Sequence, residues 1–237
     1  AAEQVHCGGH ECRMNLPETA IVFFMSKGTD YLAARYDAVE LPEPFPRFLN
    51  RCPIWEIPKW RLCFLDGGRG APQAADTVET LAALGVRNII AVGMCGAFDD
   101  KLRVGEVIAP EKAFVEEGTS LHYYESIRAS APDEDLLDMA VNLFPVNTEP
   151  IVSTDSVYRQ TFRKEREEGA VGVDMETSAV FSISRCLGLR AAALLMVSDI
   201  HPMHRDAPKW EWHMTREMKY ALAEQGLALA RRLQETK

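Results

Sequence analysis

The sequence predicts an α/β fold: a single domain with a twisted, mixed but mostly parallel central sheet flanked by helices. Three observations carry that expectation. Asn88 to Val92 (NIIAV) and Leu189 to Val197 (LRAAALLMV) are continuous apolar runs of strand length, the pattern of strands buried on both faces. Segments of helical period precede both runs, Gln73 to Leu84 and Ser178 to Leu187, the second closed by Gly188 at the position that favours a left-handed residue. The chain has 237 residues, of which 47% are hydrophobic. Folds of this class with about 200 to 250 residues commonly keep one core.

In chain order, residues 1–19 are expected to form a disordered leader and residues 20–237 the domain. Within the leader, HCGGHEC places His6, Cys7, His10 and Cys12 close together. Zinc accepts these side chains, but their spacing fits no standard zinc pattern, so no metal site is expected. Ala20 to Met25 (AIVFFM) reads as the first strand and Ser26-Lys27-Gly28 as the turn after it. Leu41 to Pro58 holds five of the thirteen prolines and reads as a loop with little regular structure. Arg61 to Leu65 is the next strand and enters Asp66-Gly67-Gly68-Arg69-Gly70.

After the helix Gln73 to Leu84 and the strand Asn88 to Val92, Gly93 and Gly96 permit close backbone approach. Val107 to Ala109 is a short strand, EEGTSLHYYE a loop, and Asp133 to Asn142 an amphipathic helix with an acidic first turn. Pro150 to Thr154 is a strand followed by the loop Asp155 to Tyr158, and RKEREEG reads as a solvated, mixed-charge face. Val171 to Val173 is a short strand, Asp174 to Thr177 a turn, and Ser178 to Leu187 a helix leading into the apolar run. The loop HPMHRDAPKWEWHM carries His201, His204 and His213 with no metal spacing and reads as a substrate-covering lid. Met214 to Gln234 is the last helix.

A net charge of −9 with interspersed signs disfavours nucleic-acid binding. No apolar run approaches the roughly 18 residues of a membrane span and no signal-peptide pattern opens the chain, so a cytoplasmic protein without a membrane partner is expected. The cysteines at 7, 12, 52, 63, 95 and 186 suit reduced thiols rather than a disulfide framework.

Glu176 and Asp199 both fall at strand ends, where α/β sheets bind ligands. Alone, either could serve only to complement a helix dipole or cap a helix. Together with VGMCGA upstream they acquire a specific meaning. RGAPQAADTVETLAALGVRNIIAVGMCGA, VGEVIAPEKAFVEEGTSLHYYE, VSTDSVY, GVDMETSAV and VSD occur in the order found in the nucleoside phosphorylase family, which includes purine nucleoside and uridine phosphorylases and related nucleosidases. Ile21 to Leu233 resembles that family, with a poor match up to about Cys63.

The resemblance implies cleavage of a purine or pyrimidine nucleoside by phosphate to give base and (deoxy)ribose 1-phosphate, with no cofactor beyond that co-substrate. It implies Asp199 as the catalytic acid, Met175, Glu176 and Met94 at the ribose, and Val157, Tyr158, Arg163 and Gly96 at the base. Gly28, Arg69 and Arg51 are expected at phosphate, and a homodimer or homohexamer is expected. An N-terminal histidine, His6 or His10, could reach a neighbouring subunit's sugar site, and Arg47 or Arg51 could be supplied to phosphate across a subunit interface; the alternative for the two arginines is a surface position.

Departures from the family pattern accompany these matches. Ala91 and Met94 stand where phosphorylases carry an arginine and a hydroxyl residue, and Val157 stands where a phenylalanine stacks on the base, a role open to Tyr158 or Trp212. Phosphorolysis, hydrolysis by water and nucleoside binding without catalysis remain open. Asp199 points to a purine and Arg163 to a pyrimidine.

Overall fold

The structure, a computed structural model, describes residues 14–99, 102–156, 162–200 and 212–235. Along the chain run β1 (Thr19–Phe23), α1 (Gly28–Arg35), β2 (Val39–Glu40), β3 (Ile54–Ile57), β4 (Leu62–Asp66), α2 (Ala71–Ala83), β5 (Asn88–Ala97), β6 (Val107–Ile108) and β7 (Ala113–Glu116). They are followed by β8 (Ala129–Ser130), α3 (Glu134–Leu143), β9 (Ile151–Thr154), α4 (Arg163–Glu167), β10 (Gly172–Asp174), α5 (Thr177–Cys186), β11 (Arg190–Ile200) and α6 (Arg216–Glu235). The strands join one mixed sheet in the order β2-β3-β4-β1-β5-β10-β9-β7-β8, with β11 on the other edge of β5 and β6 beyond it. The expected fold class is therefore the observed one.

The apolar runs are explained by the layers. Ile89 and Ala91 of β5 and Ala191, Ala193 and Leu195 of β11 join a core with α2 and α5. Their alternates, Ile90, Val92, Ala192 and Leu194, join a second core with α6 and α3. Successive side chains of a strand point to opposite faces, so a sheet covered on both sides needs apolar residues at every position. The helix α6 comes so close that a Cβ on Gly226 would lie 2.6 Å from Val92 Cγ2. Alanine normally favours a helix over glycine by about 1 kcal/mol, but overpacking a core costs about 1 to 3 kcal/mol. Gly226→Ala is therefore expected to lower stability, read as a lower midpoint in denaturant unfolding; an unchanged or raised midpoint would show that the contact yields without cost.

Two expectations need correction. Leu41 to Pro58 is not uniformly irregular: Ile54–Ile57 forms β3, antiparallel to β4, with Ile54 and Ile57 buried between flanking prolines. Prolines at strand ends cost no ladder bond, so their density misleads. Gly28, the last residue of the expected turn, already begins the helix α1. Finally, β5 and β11 run on through Ala97 and Ile200, so Gly93, Gly96, Ser198 and Asp199 lie within strands rather than beyond them. The acidic start of α3 is as expected, with the Asp133 side chain accepting from Leu136 N–H at 3.1 Å.

Leu16 is buried and its N–H donates to Leu84 O, so packing begins within the stretch expected to be a leader; His6, Cys7, His10 and Cys12 lie outside the described residues. Cys52, Cys63 and Cys95 are buried free thiols and Cys186 is exposed. No described helix is long and apolar enough to cross a membrane.

Candidate active site

The site is positioned by a change of neighbour along β5. One edge pairs with β11 throughout. On the other, β1 runs parallel as far as Phe23 opposite Val92, and β10 then takes over antiparallel at Gly96 and Ala97. Among the described residues no strand pairs with Gly93, Met94 or Cys95 on that edge. Such a switch opens a crevice at the carboxyl ends of the strands. The end of β4 meets it too, because Gly67 N–H donates to Phe23 O at 2.9 Å.

On one side of the opening, Asp174 ends β10 and is buried. Its carboxylate accepts from the hydroxyls of Ser153 and Thr177 and from Thr177 N–H at 3.0 Å, which ties the start of α5 to β10. Ser153 Oγ in turn accepts from Ser178 N–H at 2.8 Å. From beneath, buried Glu117 accepts from Ser178 Oγ at 3.0 Å and Ser120 N–H at 2.9 Å. These bonds fix the first turn of α5 and with it Glu176, the residue immediately before the helix.

Glu176 is 8% exposed, and its Oε1 accepts from Gly70 N–H at 2.6 Å. Burial raises its pKa to about 7, helped by the Asp174 charge and opposed by the Gly70 amide and the Arg69 guanidinium. Burial likewise pushes Asp174 up against the hydroxyl and amide bonds that favour its ionised form.

Asp199 is placed by a β-bulge. Val197 pairs with Cys95 and Asp199 with Gly96, so Ser198 is the extra residue. A shift of one residue moves a side chain to the opposite face. Without it Ser198 would stand beside Gly96 and Asp199 would point to the other side of the sheet. Gly96 leaves this carboxylate room: a Cβ there would lie 3.0 Å from Asp199 Oδ2. The Ser198 hydroxyl donates to Asp199 Oδ1, and His213 N–H donates to Ser198 O at 3.2 Å, which returns the C-terminal segment to this strand end.

Two carboxylates thus flank one open stretch of strand, on a sheet whose order and register are now defined. The model of the phosphorylase superfamily matches residues 19–229. The chain belongs to the phosphorylase superfamily. Among curated relatives it is 34% identical over 138 residues to a guanosine phosphorylase of Halorubrum lacusprofundi, a match covering 55% of this chain and 57% of that protein. It is 33% identical over 142 residues to the DeoD-type 2 purine nucleoside phosphorylase of Vibrio cholerae, covering 56% and 60% of the two chains. The matches therefore span less than two thirds of those relatives.

Two solved structures share the fold. One is an AMP nucleosidase from Bacteroides thetaiotaomicron, with TM-score 0.77 and 20% identity over 100% of both chains. The other is a purine nucleoside phosphorylase from Toxoplasma gondii in complex with immucillin-H, with TM-score 0.79 and 18% identity over 96% of this chain and 95% of that one.

Glu176, Arg69 and Gly70 meet at the opening, with half-buried Met175 beside Glu176 in the chain; Asp199 and Gly96 pair at the end of β5, with half-buried Met94 two residues before Gly96. Gly28 begins α1 after β1 and is buried; a Cβ on it would lie 2.4 Å from the Phe23 ring. Arg51 is exposed.

Arg163 does not join the others. It is on α4 with its side chain 86% exposed and pairs with Glu167 at 3.1 Å. Val157, Tyr158, His201 and His204 lie outside the described residues, and Trp212 is 48% exposed.

Two features of the opening go beyond the sequence reading. Arg47 is 1% exposed rather than at the surface, and donates to Asn50 O, Asp66 O and Thr77 Oγ1 at 2.8, 3.1 and 3.0 Å. It holds the end of β4 from inside, so it does not reach outward towards another subunit. Its setting between Phe45-Pro46 and Phe48-Leu49 was the available signal. Secondly, the amides of the loop after β4 are already engaged. Gly68 N–H donates to Asp66 Oδ1 at 2.8 Å, Arg69 N–H to Gln73 Oε1 at 2.6 Å, and Gly70 N–H to Glu176. The Arg69 guanidinium pairs with Asp66 at 3.2 Å.

Proposed function

We propose that this chain cleaves the N-glycosidic bond of a purine nucleoside, with phosphate as the attacking group. The observation that carries this reading is the placement of Glu176 and Asp199 on two sides of the unpaired stretch of β5, each held by its own local device. The names of the relatives, a guanosine phosphorylase and purine nucleoside phosphorylases, support the substrate class.

Bond cleavage builds positive charge on the sugar and negative charge on the departing base. A proton passes from the Asp199 carboxyl to N7 of the base as the C1′–N9 bond breaks. Glu176, ionised, accepts hydrogen bonds from the ribose hydroxyls, while Met175 packs under the sugar. A phosphate oxygen forms the new bond to C1′, and the products are free base and ribose 1-phosphate. Asp199 recovers its proton from solvent.

Hydrolysis is the second reading, and two specific observations favour it. Ala91, at the position of an arginine in phosphorylases, is 1% exposed within a core, and the amides of residues 68–70 already donate to the chain's own acceptors. Product analysis with and without phosphate separates the two. Phosphorolysis requires ribose 1-phosphate and a rate that depends on phosphate. It also predicts that Arg69→Ala weakens phosphate by about tenfold to a hundredfold, the equivalent of one charge-assisted hydrogen bond. Free ribose at equal rates without phosphate would assign the chain as a nucleosidase and leave Arg69 as the partner of Asp66.

A further inference from the structure

A second cleft lies at the opposite rim of the sheet. It has a volume of about 520 Å³ and is formed where Glu18 enters β1, where Lys59, Trp60 and Arg61 enter β4, and where α6 ends at Arg231 and Gln234. Small-molecule pockets span about 300 to 1,000 Å³. Because β1 and β4 begin here and end at the candidate active site, the two openings are separated by the length of those strands.

The cleft concentrates positive charge in a chain whose net charge is −9. Lys59, Arg61 and Arg231 have no carboxylate partner among the described residues. Of the two carboxylates that also line the cleft, Glu18 and Glu235, the second pairs with Arg232 at 3.3 Å. Two of the cations are also held in place. Lys59 Nζ lies 4.2 Å and Arg231 Cζ 4.3 Å from the centre of the Trp60 ring, which Tyr36 supports edge-on at 5.3 Å. Cation–π contact fixes long side chains that would otherwise lose freedom on binding. Arg61 joins them from a backbone with φ of 49°, a left-handed conformation rare for a side chain of this kind. Like charges gathered close together repel one another, and an anion bound among them lowers that repulsion.

We propose that this cleft binds a phosphate-bearing small molecule, with Arg61, Arg231 and Lys59 as its donors and Trp60 as the platform that orders Arg231 and Lys59. Arginine and lysine are the side chains suited to a phosphate dianion, arginine through paired N–H groups and lysine as a point charge. The site is separate from any phosphate held beside Arg69.

Calorimetric titration of the whole chain with ribose 5-phosphate, and in parallel with inorganic phosphate, tests this. Arg61→Asn keeps a residue that tolerates the left-handed backbone, and Arg231→Gln keeps the length of the side chain; denaturant unfolding verifies that both variants fold. Each is expected to weaken ribose 5-phosphate by about tenfold, the loss of one charge-assisted bond, with nucleoside turnover unchanged. Arg69→Ala is expected to leave this binding intact. Tighter binding of the ester than of inorganic phosphate supports a ligand larger than the ion, and equal binding supports recognition of the phosphate group alone. Absence of saturable binding to the wild-type chain overturns the proposal. So does binding that is lost in Arg69→Ala but kept in Arg61→Asn.

Discussion

Asp199→Ala is expected to reduce turnover of a purine nucleoside by about 10²- to 10⁴-fold, the range that a positioned general acid contributes. The variant should remain folded, because the carboxylate stands at the end of β11, outside the two apolar cores. Asp199→Asn sharpens the test, since it preserves shape and removes only the transferable proton. Full activity in both variants would sink the assignment of the acid. A wild-type chain that binds nucleosides without converting them, and whose binding alone changes in Asp199→Ala, would instead be a nucleoside-binding protein on an inherited fold.

Glu176→Gln is expected to lose activity on a comparable scale and also to change its pH dependence. Burial raises the pKa of the wild-type side chain to about 7, and in the proposed mechanism it is the ionised form that accepts from the ribose hydroxyls. kcat/KM should therefore rise as pH passes through 7, and that limb should be missing in the low residual activity of Glu176→Gln. The same shift fixes a sign for stability. Between the ordinary value of 4.5 and about 7, the folded chain holds a proton that the unfolded chain has released. This residue's contribution is thus most favourable below 4.5 and is lost as pH rises through 7. Relative to wild type, Glu176→Gln should gain stability above pH 7; a gain confined to acid pH would show that the carboxylate is not strained by burial.

Much of this architecture was legible because it depends on local pattern. The runs in β5 and β11 are apolar at every position since both faces are covered, and DMET carries both the acid that ties down the helix start and the carboxylate that faces the opening. What escaped sequence reading depends on partners distant in the chain. The strand β3 owes its existence to β4, against prolines on either side. Arg47 is buried because Asp66, Asn50 and Thr77 supply acceptors that no spacing reveals. The bulge at Ser198 decides which face Asp199 occupies, and it is visible only in the register with β5. Arg69 looked like an unoccupied cation, yet Asp66 three residues earlier already neutralises it.

The change of neighbour along β5 has a mechanical consequence. Within the sheet, β1 to β4 form one wing and β7 to β10 another, and both hang from the β5–β11 ribbon. Asp199 and Gly96 belong to the ribbon itself, paired through its register. Glu176 and Gly70 belong to different wings, and their 2.6 Å bond ties the two together, reinforced by the packing of α2 on α5. Loss of the Glu176 carboxylate therefore cuts a tie between the wings, whereas Asp199 and Gly96 stay joined through the ribbon.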